Sequence, residues 1–343
     1  AAADAPATVT ELQTDFLQSA KEVTGVTAIN TIVLRYLNRA NQEIHAGERW
    51  PWQERPARIV THAEYTTGTV SITIASSRTA VTGASTLWAT AATGYSFNNA
   101  RIGGKIVLAG QTDVYPVSAV ASDTALTLGT SYVGTANLSA ASYSYVEDEY
   151  ALEADFDDIV DARTFSPERK ITLMGPRDFY RRYGRNSTPG TPKVATLIEL
   201  GAGTTAALRR RVLFGPVPDL VYTIPYRYYT TYLAVSATGT GAVNLSASTD
   251  EPIIPLRFRQ ALVRKALELW ARDRKDDARA ELYRGECEAI LTKARAQVGD
   301  ASDRPRLMPA VAGYWQAARR PYTRASSGRF DVNDRFDHLE DLR

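Results

Sequence analysis

Eight carboxylates crowd one short stretch of the chain: Glu147, Asp148, Glu149, Glu153, Asp155, Asp157, Asp158 and Asp161. Two carboxylates placed across a sugar cleft can hydrolyse a glycosidic bond, one as acid and the other as base or nucleophile. Asp155, Asp157 and Asp158 also offer the oxygen ligands that a calcium ion takes. The calcium reading fails on spacing. A calcium loop opening at Asp155 lacks its central glycine, and Ser166 stands where the closing glutamate belongs. The bland reading of the run is a solvated acidic face, or a wall that repels DNA. The sharper alternative is a polysaccharide-degrading enzyme for which Asp155, Asp157 or Asp158 is essential.

Other chemistry-bearing residues are sparse. The three histidines, His45, His62 and His338, fall in a predicted helix, a predicted strand and the tail, and no pair has metal-ligand spacing. The single cysteine, Cys287, sits at an apolar helix position and reads as a core residue. The string GAGTTA at 201–206 matches G-x-G-x-x-A after the strand-like VATLIEL, with Asp219 18 residues past Gly201. A dinucleotide fingerprint must open a crossover helix, and TAALRRRVLFGPVP leaves little room before Gly215-Pro216. A hairpin fits better. No G-x-x-x-x-G-K-[ST] phosphate loop occurs. The basic clusters are Arg181-Arg182 with Arg185, Arg209 to Arg211, and Arg272, Arg274 and Lys275. They read mostly as surface or subunit-interface charges, because successive strand residues face opposite ways. The residues therefore point away from catalysis, and no cofactor or metal is expected.

The bulk composition is ordinary. The chain has 343 residues, 44% hydrophobic and 23% charged, which suits two or three globular domains. Forty basic against 38 acidic residues leave a net charge of +2, so global charge argues for no polyanionic partner. One cysteine permits no internal disulfide framework and fits synthesis in a reducing cytoplasm. The opening AAADAPATVTEL has neither a basic region nor an apolar run, so no secretory signal is expected. No apolar stretch is long enough to span a membrane.

The elements that must position these residues change character along the chain. Leu12, Phe16, Leu17, Ala20 and Val23 trace one helical face over 10–24, with Thr10 and Gln13 at capping-box spacing and Gly25 as a stop. Thr27 is placed to cap a second helix, in which Ile29, Ile32, Val33, Tyr36, Leu37, Ala40 and Ile44 repeat at three and four residues. Gly47 and Pro51 end it at Trp50-Pro51-Trp52. From 57 to 147, short β-branched runs such as GTVSITIA and KIVLAG alternate with turn residues, the texture of an antiparallel sandwich or barrel. A second β-rich region over 148–250 includes a short helix opened by Pro176. Helical spacing returns over 251–299, through Phe258, Leu262, Leu269 and Trp270, then Leu282, Cys287, Leu291 and Ala294.

The tail, 300–343, has no apolar period. Residues 301–329 carry six arginines against one acid, and 330–343 carry two arginines against five acids. A segment this polar does not fold alone. Its aromatics, Tyr314, Trp315, Tyr322, Phe330 and Phe336, argue for ordering on a partner. The expected class is α+β: a discontinuous helical bundle built from both chain ends (1–56 and 251–299), large antiparallel β sandwich or barrel insertions (57–147 and 148–250), and an extended C-terminal arm.

Three stretches carry a resemblance. The long helix running through LNRANQEIHAGERWPWQE, the block EPIIPLRFRQALVRKALELWARDRKDDARAELYRGECEAILTKA, and LFGPVPD leading into YRYYTTYL together resemble the head-to-tail adaptor (connector) proteins of tailed bacteriophages. The likeness covers the two ends and 208–299 best. It implies a virion protein at the head–tail junction, made in the host cytoplasm, that forms a ring of about twelve copies under the portal. It implies partners: the portal protein, a downstream tail or nozzle protein, and the genome passing through without sequence-specific binding. In this reading Trp50, Pro51, Trp52 and Trp270 are packing anchors. The arm grips the portal, with Arg319 and Arg320 paired to its carboxylates and Trp315 as a buried anchor. The β region departs from the compact, nearly all-helical members; packing between subunits, holding fibres and meeting the next tail protein all remain open for it. A rival of another class is a glycan-binding tail or fibre module built on that region.

Overall fold

The structure is a computed structural model that describes residues 6–22, 26–161, 163–184, 188–198 and 210–298. The protein is of the α+β class, with five described α-helices and several sheets. The chain divides into two compact units: Ala1–Pro51 with Leu245–Arg343, and Trp52–Asn244.

The first unit holds four helices: α1 Val9–Ala20, α2 Thr27–Gly47, α4 Gln260–Asp273 and α5 Asp277–Val298. The intervening α3 belongs to the second unit. In α1, Val9, Leu12, Phe16, Leu17 and Ala20 are buried, a stripe at helical spacing. Its capping box is Thr8 with Glu11, not Thr10 with Gln13, and the helix stops at Lys21, whose φ of 58° is left-handed. Thr27 is the first helical residue of α2 rather than its cap; Val26 holds the cap position without a side-chain bond. Buried Val33, Leu37, Ala40 and Ile44 face inward from α2.

Helix α4 is buried on nearly every side, from Ala261 to Ala271. A helix so covered needs partners all round, and α1, α2 and α5 all pack on it. The Phe16 ring meets Trp270 edge-on at 6.2 Å and stacks with Tyr36 at 6.5 Å. Tyr36 donates to Asp273 at 2.6 Å, and Gln260 to Asp15 at 2.7 Å. Helices from both chain ends thus share one interior. Arg259, 8% exposed, ties the entry of α4 to the N-terminal segment by donating to the carbonyls of Ile254 and Ala7.

The second unit is mostly β. Its strands in chain order are β1 Glu54–Val60, β2 Thr69–Ile72, β3 Ala80–Ala84, β4 Lys105–Leu108, β5 Val114–Ser122, β6 Ala125–Leu128, β7 Leu138–Ala141 and β8 Tyr143–Val146. There follow β9 Glu149–Ala151, β10 Phe156–Ile159, β11 Thr164–Ser166, β12 Ile171–Leu173, helix α3 Pro176–Tyr183, β13 Pro189–Gly190, β14 Val194–Ile198, β15 Arg211–Gly215, β16 Val217–Pro218, β17 Thr223–Thr230, β18 Ala234–Val235 and β19 Gly241–Ala242.

Seven strands form one antiparallel sheet in the order β7-β2-β3-β6-β5-β4-β8. Its edge strands β7 and β8 are separated by Ser142 alone, so one segment pairs with β2 through its first half and β4 through its second. That continuity curls the sheet around a single core of Val70, Ile72, Val81, Trp88, Ile106, Tyr115, Leu126 and Tyr145. A second core, with Tyr150, Phe165, Val212, Phe214 and Tyr226 among its members, lies between two further sheets, β1-β17-β10 and β11-β12-β14-β15-β9. The hairpin reading of 194–215 holds: Val194 pairs with Gly215 and Ile198 with Arg211, antiparallel. GAGTTA itself lies outside the described residues.

Purely antiparallel pairing is corrected. β12 runs parallel to β14, joined through α3, and β13 runs parallel to β16. A helix between two strands lets the chain return to the same sheet end, which a tight turn cannot do.

Candidate functional site

The acidic run is where the fold departs most from its sequence reading. Glu147 and Asp148 are 3% and 1% exposed, so this end of the run is not a solvated face. Strand β8 buries Tyr143 and Tyr145, and the next residue of the same parity is Glu147. Arg101 meets it with a fork: Nε donates to Oε1 at 2.8 Å and Nη2 to Oε2 at 2.6 Å. The Tyr145 hydroxyl donates to Oε1 at 2.5 Å and accepts from the Arg101 backbone N at 2.9 Å. Gly104 makes room for that ring; a Cβ there would lie 2.1 Å from the Tyr145 hydroxyl oxygen. Next door, Lys105 pairs with Asp148 at 2.7 Å and Arg211 with Glu149 at 3.1 Å. Tyr150 donates to the Glu147 carbonyl at 3.0 Å and accepts from His62 N at 2.9 Å.

This cluster joins residues of both β cores. Burial, reinforced by the Glu147 carboxylate, pushes the phenols of Tyr145 and Tyr150 well above the ordinary tyrosine range. They stay protonated and serve as fixed donors. Glu147 has its oxygens filled and its approach closed. The arrangement suits a structural lock rather than acid–base chemistry.

The rest of the run is mixed: Glu153, Asp158 and Asp161 are exposed, as the solvated-face reading expects, while other members are held by neighbours. Asp155 accepts from the hydroxyls of Tyr228 at 2.9 Å and Thr230 at 2.5 Å, and its carbonyl accepts from Thr231 N. Asp158 accepts from Ile159 N at 2.8 Å, and Asp157 lies 4.0 Å from Arg210. His45 is buried with Nδ1 2.7 Å from the Asn41 carbonyl, and both ring nitrogens of His62 face backbone carbonyls. Burial pushes the Cys287 thiol up to about 12, which leaves it unreactive. Among the described residues, no three His, Cys, Asp or Glu side chains gather as metal ligands do.

Among the described residues, each unit has a recess open towards solvent. In the helical unit, one of about 420 Å³ is lined by Trp50 and by four carboxylates and four cations, so no excess of charge selects a ligand. Lys265 there contacts Glu43 at 3.2 Å and Glu268 at 3.1 Å, and Arg272 reaches Glu268 at 2.6 Å. In the β unit an apolar recess of about 450 Å³ lies between Ala57, Ile159, Phe165, Pro225 and Tyr226.

The Trp-Pro-Trp residues part company. Trp50, 2% exposed, donates from Nε1 to the Ile44 carbonyl at 3.2 Å and has the Arg295 guanidinium 5.8 Å from its ring. Pro51 is exposed and opens a single 3-10 turn. Trp52 is half-buried and belongs to the β unit, where its carbonyl accepts from Arg55. Trp270, 8% exposed, has the Arg274 guanidinium 4.3 Å from its ring. The arm residues Tyr314, Trp315, Arg319, Arg320, Tyr322, Phe330 and Phe336 lie outside the described residues. Compared with known proteins, the chain matches no family model and no curated protein.

Proposed function

We propose that the chain is a structural virion protein of a tailed bacteriophage, a ring-forming adaptor that docks on the portal, joins head to tail and continues the DNA channel. The observation that carries this reading is the discontinuous helical unit. Two chain ends supply its helices, and residues 52–244 are inserted between them. That layout agrees with the resemblance borne by LNRANQEIHAGERWPWQE and the 251–294 block. Glu147 and Asp148 are buried and paired, and Asp155 is held by Tyr228 and Thr230, which weighs against a polysaccharide hydrolase built on this run.

Assembly rather than catalysis is the mechanism. Among its described side chains, helix α5 buries only the stripe Ala280, Cys287, Leu291 and Ala294, and Leu282 on its outer side is 59% exposed. A helix that offers so much surface suits heterologous ring closure, in which one face of a subunit meets a different face of the next. The 300–343 arm gains order on the portal, where burial of Trp315 and its neighbouring aromatics offsets lost chain entropy. A tail or nozzle protein meets the other side of the ring.

Native mass spectrometry tests this, first on the protein alone and then with its portal. A ring near twelve copies is expected, either free or only on the portal. A stable trimer indifferent to the portal would overturn the proposal and turn attention to glycan arrays. Deleting 301–343 abolishes portal binding while the fold is kept; retained binding would remove the arm from the account.

A further inference from the structure

Across the described residues, many arginines and lysines are tied to carboxylates, as with Arg101, Lys105, Arg227, Arg264 and Arg295. Others in the β unit have no such partner, Arg58, Arg163 and Arg177 among them, and five more of this kind lie near one another. Arg169, Lys170, Arg181, Arg182 and Lys193 are all exposed, and none lies within ion-pair distance of a described carboxylate.

The topology gathers them at one end of a sheet. Lys170 and Lys193 immediately precede the parallel neighbours β12 and β14, and Thr172 N donates to the Lys193 carbonyl at 3.0 Å. Helix α3 runs back between those strands, so its C-terminal end returns to where they begin. The Tyr183 ring marks that return: it covers Gly215, where an added Cβ would lie 2.9 Å from it. The Gly215 carbonyl in turn accepts from Lys193 N at 3.1 Å. The Arg182 guanidinium lies 5.7 Å from the Tyr183 ring. Arg169 lies 5.8 Å from the Tyr222 ring, whose hydroxyl is 3.3 Å from Thr191, two residues before Lys193. The acids at this end are Glu168, exposed, and Asp219, which accepts from the Tyr222 hydroxyl at 2.7 Å. Five cations against two carboxylates leave an excess of three positive charges.

We infer that this end of the sheet is a docking surface for the phosphate backbone of duplex DNA. Arginines in the last turn of α3 also complement the helix dipole. That does not account for Arg169, Lys170 and Lys193, which lie off the helix. The five cations sit on a helix end, a turn and a strand start, so they form a surface rather than a pocket for a small anion. Arg169 Nε donates to the Thr223 carbonyl at 3.2 Å, but none of the five has a carboxylate partner, and such a group suits successive phosphates, with arginine forks gripping paired oxygens. Contacts of this kind position the duplex without reading its bases. The inference does not depend on ring formation, which a separate measurement decides.

The test is anisotropy of the full chain with two unrelated labelled duplexes of equal length, across a salt series. Equal affinity for both is expected. The chain also carries the basic stretch 301–329, so point variants decide. Each of Arg181→Gln/Arg182→Gln and Lys170→Gln/Lys193→Gln removes two contacts and shallows the log K against log salt slope by about 1.8. Melting temperature stays unchanged for Lys170→Gln/Lys193→Gln, whose side chains are exposed, and falls slightly for Arg181→Gln/Arg182→Gln, which loses the helix-dipole complement. Failure of the full chain to bind, or slopes that neither variant changes, would overturn the inference. So would a polyglutamate peptide that competes as well as DNA of equal charge, because the surface would then belong to an acidic protein.

Discussion

His45 is 5% exposed on α2, and burial holds its imidazole at about 4 against an ordinary value of 6.5. The unfolded chain takes up a proton at this residue between those two values, and the folded chain does not. Stability that is complete above pH 6.5 therefore falls as the pH drops towards 4, by up to about 3 kcal/mol from this residue. His45→Gln flattens that part of the profile, and urea midpoints at about pH 7 and about pH 4.5 for both proteins measure it. An unchanged pH slope would mean that the imidazole is charged in the fold. Arg101 makes the opposite kind of statement. Its partner Glu147 has a side chain only 4% exposed, while Arg101 itself is 37% exposed. Arg101→Ala strands a buried carboxylate and costs about 3 kcal/mol, at the low end for buried pairs because water reaches the arginine. Adding Glu147→Gln removes the stranded charge and restores most of the loss. Equal stability of Arg101→Ala and the double variant, read by urea denaturation, would show that the charge is relieved by other means.

At the scale of elements, legibility follows from what makes each element form. Helix α2 was readable because Val33, Leu37, Ala40 and Ile44 carry its period within one local segment. The start of α1 was misread because two threonine pairs have capping spacing. Only Thr8 takes the extended cap conformation, and only Glu11 reaches back, to the N–H groups of Ala7 and Thr8. A stripe was visible in α4, but not its burial on nearly every side, because that cover comes from residues far away in sequence. Strand parity was the missed signal at Glu147. Tyr143 and Tyr145 point inward, and the next residue in step continues their face, yet surrounding carboxylates made it look like surface. The parallel pair β12 and β14 was hidden for another reason. Three residues of β12 carry too little period to reveal a partner, and α3 reads equally well as a loop helix between hairpins. Local chemistry was legible here; closure of distant segments was not.

At the scale of the molecule, the question is which unit builds the assembly. The β unit, Trp52–Asn244, has cores whose members all come from within its own bounds. Its ion pairs Arg101 with Glu147, Lys105 with Asp148 and Arg211 with Glu149 are internal as well. Residues 52–244 expressed alone are therefore expected to fold, with a single cooperative thermal transition and near-ultraviolet circular dichroism from packed Trp88 and Tyr145. A broad transition without that signal would mean that the unit needs the helices. The oligomeric state of the excised unit then separates two routes to a ring. If 52–244 stays monomeric while the whole chain assembles, the contacts belong to the helical unit or the arm, as the large exposed face of α5 argues. If 52–244 forms rings by itself, the β unit is the assembling part. The exposed face of α5 would then have another task, and it would no longer argue for ring closure through the helices.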